Sequence, residues 1–354
     1  MKDSPEILII RLSSLGDILH ALPAFADLRA SFPEAKIDWL VAEKCRFLVD
    51  TVPGINAVHV LDADSLLRFP PSPAAWNRLW NLIRDLRKHH YDFSIDFQGL
   101  IKTAVLGLLS GAQTRLGFSK NMAREYPAHW FYHRSPAKPK MEIHVSELNR
   151  ILAGMTGAHP VSSPADFKIP ENDRRQVESL MEKEQLSDFA VINPGGGWPT
   201  KRWSPEKYGD LAKRIKTEIG LSIVVTTGPG EGDYFQKIAE RCGDFLPHHF
   251  PVTFLQLIPL LKRAGLFIGG DTGPFHLACA LGTPVVGIFG PTSPVRNGPW
   301  KAEDECVAHT LPCSFCYGRS CPTHNECMDI SVDEVFAAVN RRLGNRGRHS
   351  DARC

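Results

Sequence analysis

The sequence predicts an α/β protein built from two doubly wound domains, and three observations carry that prediction. Short apolar runs alternate with helical patterns, and they do so in two separate series. A proline- and serine-rich stretch, residues 160–170, lies between the series. At 354 residues the chain is also long for a single core. The boundary is expected near 165/166, giving domains 1–165 and 166–343 and a polar, basic, disordered tail at 344–354.

In the first series, Ile7, Leu8, Ile9 and Ile10 form a continuous apolar run suited to a buried parallel strand. A Ser-Ser-Leu-Gly-Asp turn follows, then a helical pattern over 18–30. Strands are expected at 37–41, 57–61 and 93–97, and helices at 76–89, 100–109 and about 143–155. In the 76–89 helix, Trp76, Leu79, Trp80, Ile83 and Leu86 share one face, read as the core face.

The second series places strands at 189–192, 222–226, 265–268 and 285–289. Helices are expected at 205–218, up to Arg241, and at 332–343. In such sheets ligands bind beyond the carboxyl ends of the strands, and two doubly wound halves would direct those ends to a shared cleft.

Composition narrows the function. The chain is 43% hydrophobic and 23% charged, with a net charge of +2. That is the make-up of a soluble globular protein, and it gives no case for bulk nucleic-acid binding. No run approaches the roughly 18 apolar residues of a membrane span, and the polar start argues against a signal peptide, so a cytoplasmic location is expected. No Gly-x-Gly-x-x-Gly follows the first strand, and there is no Walker lysine loop.

The most informative segment runs Gly269-Gly270-Asp271-Thr272-Gly273-Pro274-Phe275-His276. It reads as strand, tight turn and helix start, where free backbone N–H groups and the helix dipole favour an anion. Thr272 adds a hydroxyl, and His276 lies one turn on. Asp271 could equally be a helix cap.

Other strand-end residues allow similar pairs of readings. Asp17, after Ser13, Ser14 and Gly16, suits a general base or a helix cap. Lys201, after a glycine turn containing Gly196 and Gly197, suits phosphate or a solvated loop. Glu231 suits ribose hydroxyls or a helix start. Gln98, Lys102 and Arg124 suit an acidic acceptor.

The cysteines crowd at one end: Cys313-x2-Cys316-x4-Cys321-x5-Cys327, with Cys306, His309 and His324 nearby. Four thiolates so close could hold a structural zinc, although a second Cys-x-x-Cys is missing. Reduced or reversibly paired thiols have the larger claim in a reducing compartment.

Several of these pieces resemble one family, the ADP-heptose:lipopolysaccharide heptosyltransferases, glycosyltransferase family nine. They are the 9–20 segment with Leu22-Pro23-Ala24, the Asp96-Phe97-Gln98-Gly99-Leu100-Ile101-Lys102 and Ala123-Arg124-Glu125 pieces, Lys201-Arg202-Trp203, and 271–292. The Gln-Gly-Leu-x-Lys and Ala-Arg-Glu pieces look most like heptosyltransferase I. The resemblance implies a GT-B fold, two Rossmann-like domains facing a central cleft. It implies an inverting transfer of heptose from ADP-L-glycero-D-manno-heptose to Kdo of the lipopolysaccharide inner core. The acceptor would be a Kdo-lipid A type molecule at the inner face of the inner membrane, which the enzyme would meet peripherally, with 115–134 as a candidate contact.

The same resemblance assigns roles. Asp17 would be the general base, flanked by Ser14 and Gly16. Lys201 would contact donor phosphate or sugar, Glu231 the ribose, Val252 the adenine site and Asp271 the heptose hydroxyls. Thr272, Gly273 and His276 would hold the diphosphate. Ser14, Gly16, Gln98, Lys102 and Arg124 would meet the acceptor. No metal or cofactor is obligatory, and Mg2+ is an optional addition. Two departures stand out: Gly196 and Gly197 replace hydroxyl side chains near the phosphates, leaving backbone N–H groups there, and Pro274-Phe275 replaces Leu-Ser. Another nucleotide sugar, or a non-catalytic sugar-nucleotide sensor, is the alternative.

Overall fold

A computed structural model of the chain describes residues 4–62, 72–162, 164–228 and 230–350. The chain divides into two compact units between Lys168 and Ile169. Among the described residues no helix is long and apolar enough to cross a membrane.

The first unit runs β1 (Glu6–Ile10), α1 (Leu15–Leu19), α2 (Leu22–Ser31), β2 (Lys36–Ala42), α3 (Glu43–Val49) and β3 (Ala57–Leu61). It continues with α4 (Pro73–Lys88), β4 (Phe93–Asp96), α5 (Ile101–Leu109), β5 (Thr114–Leu116), a 3-10 turn (Tyr126–Phe131) and α6 (Val145–Gly154). The strands are all parallel, in the order β3-β2-β1-β4-β5. Ile7 to Ile10 lose all solvent exposure, as the continuous apolar run requires of a strand covered on both faces. Strand order reverses between β1 and β4, so the topological switch point lies at their carboxyl ends.

Two expectations for this unit need correction. The helix read over 18–30 is two helices, the second restarting with Pro23 in its first turn, where a missing N–H is harmless. In α4 the buried face is Ala75, Leu82, Ile83 and Leu86, with Leu79 packed alongside, while Trp76 and Trp80 are 53% and 63% exposed. Both stripes have helical spacing, and the aliphatic one meets the sheet. The helix begins as sequence chemistry dictates, with Ser72 Oγ accepting from Ala75 N at 3.2 Å and Pro73 next to it.

The second unit runs α7 (Glu171–Lys183), β6 (Phe189–Asn193), a 3-10 turn (Pro199–Lys201), α8 (Pro205–Arg214) and β7 (Ser222–Thr226). Then come α9 (Gly232–Cys242), β8 (His248–Phe250), α10 (Leu257–Arg263), β9 (Leu266–Gly270), α11 (Gly273–Leu281), β10 (Val285–Phe289), α12 (Pro294–Asn297), β11 (Glu305–Ala308) and α13 (Val332–Ser350). This sheet is also parallel, ordered β11-β10-β9-β6-β7-β8, with its switch point between β6 and β9. Alternate residues Ala190, Ile192, Ile223, Val225, Leu266 and Ile268 meet Tyr208, Leu211, Val335 and Val339 from the covering helices. The last helix continues through Ser350, into the segment expected to be a disordered tail, and 351–354 lie outside the described residues.

Candidate active site

In the first unit the switch point gathers Asp17, Arg11 and Gln98. Arg11 is buried at the end of β1, where one guanidinium nitrogen donates to the Phe97 carbonyl. Its Nη2 pairs with Asp17 Oδ1 at 2.6 Å. The other carboxylate oxygen, Oδ2, accepts from Ser14 N at 3.0 Å and Ser14 Oγ at 3.1 Å. Asp17 is therefore both a cap for α1 and a clamped carboxylate, so the two sequence readings coincide. Burial raises its pKa, but Arg11, the Ser14 N–H and Arg124 outweigh burial and hold it below the ordinary carboxylate value. It is an ionised carboxylate with its side chain 30% exposed.

The other first-unit residues divide. Lys102 on α5 and Arg124 are exposed, and Arg124 is near enough to act on Asp17. Glu125 accepts from Ile101 N at 2.7 Å, which ties the Arg124 loop to the start of α5. Gln98 is not an open acceptor contact. It is 5% exposed, and its Oε1 accepts from Leu12 N at 2.8 Å, bracing the Asp17 turn. Ser14 likewise directs its hydroxyl at Asp17, and Gly16 is buried inside α1. In the 115–134 segment Tyr126 and Trp130 are exposed, whereas Tyr132 donates to the buried Asp96 at 2.7 Å.

In the second unit an ion pair straddles the switch point. Lys201, after β6, places Nζ 2.7 Å from Asp271 Oδ2, after β9. His276 Nε2 stands 2.8 Å from Asp271 Oδ1, and Asn297 Nδ2 lies 3.5 Å from Oδ2. Burial raises the Asp271 pKa, but His276 and then Lys201 overcome it and hold the carboxyl well below the usual range. Asp271 is thus not the cap of α11; that position is Thr272. Gly270 allows this closeness, because a Cβ there would stand 2.9 Å from the Lys201 carbonyl.

The start of α11 has anion-site chemistry, with Gly273 opening the helix and Pro274 subtracting one N–H. Thr272 Oγ1 and Thr292 Oγ1 are buried with no hydrogen-bond partner within the chain. The Thr272 methyl lies 3.5 Å from where a Gly196 Cβ would stand, and nothing lies within 4 Å of a Cβ at Gly197.

Glu231 knits the loops after β6 and β7. Its Oε1 accepts from Gly196 N at 3.2 Å and its Oε2 from Gly228 N at 2.8 Å. A Cβ at Gly195 would overlap that carboxylate, the movable end of the Glu231 side chain. Gly195→Ala is therefore expected to displace Glu231 and cost about 1–3 kcal/mol of stability through two lost charge-assisted hydrogen bonds. Denaturant unfolding checks this; an unchanged midpoint would show the loops hold without Glu231. Val252 is half-buried just beyond β8.

Sequence reasoning missed Arg11, Asn297 and Trp198, whose ring lies 4.3 Å beneath Lys201 Nζ. Arg11 was detectable as a charge ending an otherwise apolar strand six positions before Asp17.

The model of glycosyltransferase family 9 (heptosyltransferase) matches residues 79–326, most of the chain. The chain belongs to that family. This family 9 enzyme transfers a glycosyl group and has the GT-B fold. It is 27% identical to lipopolysaccharide heptosyltransferase 1 of Pseudomonas aeruginosa over 335 residues, which is 89% of this chain and 87% of the relative. Among solved structures, E. coli heptosyltransferase WaaC with ADP superposes with a TM-score of 0.76 at 23% identity, covering 95% of this chain and 99% of that one. A glycosyl transferase family 9 protein from Veillonella parvula gives 0.78 at 21%, covering 98% and 99%.

Proposed function

We propose that this family 9 glycosyltransferase moves heptose from ADP-L-glycero-D-manno-heptose to Kdo of the lipopolysaccharide inner core, with inversion. The observation that carries the reading is Asp17, an ionised, clamped carboxylate at the switch point of the first sheet. An acceptor hydroxyl needs one base for in-line attack, and this carboxylate supplies it. The names of the curated relatives support the heptose and the lipopolysaccharide.

The leaving ADP carries negative charge that needs preorganised donors. Lys201, the Gly273 end of α11, the Thr272 hydroxyl and the Gly196 and Gly197 loop offer them, with no metal demanded by this step. His276 acts through Asp271, orienting it toward the sugar hydroxyls. Glu231 retains acceptor capacity for ribose beside its two backbone bonds, and Val252 offers an apolar edge for adenine. Lys102 and Arg124 remain exposed cations for the carboxylates and phosphates of a Kdo-lipid acceptor. A peripheral position on the inner face of the inner membrane follows from that acceptor.

The test offers ADP-heptose and several UDP-sugars with Kdo2-lipid A and follows the product mass. A gain of one heptose from ADP-heptose alone is expected. Transfer or tight calorimetric binding only with UDP-sugars would overturn the donor, and no turnover with any pair would favour a sensor.

A further inference from the structure

The first sheet holds a second group of ionisable side chains, away from its switch point. Asp38 lies early in β2 and His59 in the middle of β3. The register sets Asp38 beside Ala57 and Leu40 beside His59, so by the alternation of strands both project from the sheet face that α4 covers. His89 directly follows α4, and Tyr91 precedes β4.

The Asp38 side chain is only 3% exposed, an expensive place for a carboxylate without partners. Three groups converge on its Oδ2. Tyr91 donates its hydroxyl at 2.7 Å, His59 Nε2 stands at 3.4 Å and His89 Nδ1 at 3.6 Å. The first distance is that of an ordinary hydrogen bond. The two imidazole distances exceed the usual N–H···O range of about 2.7–3.2 Å. They match instead the spacing of neighbouring ligands around one cation. With bonds of about 2.0–2.2 Å, two tetrahedral ligands stand about 3.3–3.6 Å apart. The ligand atoms of Asp38, His59 and His89 all lie within 4.8 Å of one another, and among the described residues the crowded cysteines form no such group.

The surroundings fit a cation as well. Tyr91 holds the carboxylate oxygen from one side, as metal-binding carboxylates are commonly held. The His89 ring stacks on Tyr91 with centroids 5.3 Å apart, and it meets His59 edge-on at 5.5 Å, so both imidazoles are kept beside Oδ2. His59 also lines a cavity of about 600 Å3 with Glu43, Arg78 and Asp85, which gives a cation a way in and a water the fourth position.

We propose that Asp38, His59 and His89 bind one divalent transition-metal cation of the zinc class, which ties the end of α4 to β2 and β3. Two imidazoles and a carboxylate suit such a cation. Each ring nitrogen gives a lone pair, any proton it carried passes to the other ring nitrogen or to solvent, and no electrons move. The group lies toward the amino ends of the strands, whereas Asp17 follows the carboxyl end of β1. Its role is therefore to brace the first unit rather than to act on the sugar.

The test uses untagged full-length protein with its exposed thiols capped by iodoacetamide, so that Cys313, Cys316 and Cys321 compete for no metal. Calorimetric titration with Zn2+ should saturate at about one cation per chain, and Zn2+ should raise the thermal midpoint. The His89 side chain is 35% exposed, which makes His89→Gln a mild change for the fold. That variant should bind Zn2+ roughly tenfold or more weakly and lose the thermal gain. His90→Gln, at the exposed neighbouring position, should bind as the wild type does. A further arm needs no variant: Co2+ on the capped wild type should give visible d–d bands with no sulfur-to-metal band. The proposal is overturned by absence of Zn2+ uptake in the wild type, by equal affinity in wild type and His89→Gln, or by a Co2+ spectrum showing sulfur ligation alone. Any of these would leave Asp38, His59 and Tyr91 as a hydrogen-bond network only.

Discussion

Asp17→Asn is expected to reduce heptose transfer roughly hundred- to ten-thousand-fold while ADP affinity stays within about twofold, the signature of a lost general base. Asparagine preserves the shape of the α1 cap but cannot take the acceptor proton. The carboxylate has about four lone-pair sites. Arg11 takes one on Oδ1, and Ser14 takes two on Oδ2. The count leaves an opening on Oδ1, the oxygen nearest Arg11, for the incoming hydroxyl.

The lowered pKa of Asp17 fixes the sign of the pH effect. The group is ionised from neutral pH down through the ordinary carboxylate value near 4, so its acid limb in kcat/KM should fall below about pH 4. Rate profiles of wild type and variant, with calorimetry on ADP, check both parts. Turnover of the variant within tenfold of wild type would remove Asp17 from the chemistry.

The central strands were legible because two-sided burial demands continuous apolar runs, as in Ile7 to Ile10. The edge strands β5, β8 and β11 were not, since three or four residues with half-exposed side chains carry no such pattern. The face of α4 misled because Trp76 and Trp80 count as core by hydrophobicity, yet a second aliphatic stripe has the same period. At the candidate site, strand-end positions pointed to Asp17, Lys201, Asp271 and His276, which lie at the switch points of the two sheets. What the sequence could not carry is partnership. Lys201 and Asp271 are 70 positions apart and meet only because β6 and β9 are neighbours. Gln98 has the polarity of a ligand contact, and only its bond to Leu12 N shows it serving the turn instead.

Lys201→Met is expected to affect stability and donor binding separately. The Lys201 and Asp271 side chains are 15% and 4% exposed, so removing the lysine leaves a carboxylate buried with His276 as its main partner. Breaking a buried pair costs about 3–5 kcal/mol, and the retained His276 contact places this variant near 3. The sign with pH follows from the depressed Asp271 pKa. The stabilisation from ionised Asp271 is complete above its unfolded value of about 4 and is lost as pH falls through the folded value. The gap between wild type and Lys201→Met should therefore be full at neutral pH and narrow in acid. Independently, if the ammonium also donates to diphosphate, ADP affinity should fall about ten- to hundredfold, one charge-assisted hydrogen bond's worth. Denaturant titrations across pH report the first effect. Calorimetry, under conditions where the variant is fully folded, reports the second. Lost stability with unchanged ADP affinity would make Lys201 the holder of Asp271 alone, and the phosphate role would pass to the α11 end and Thr272.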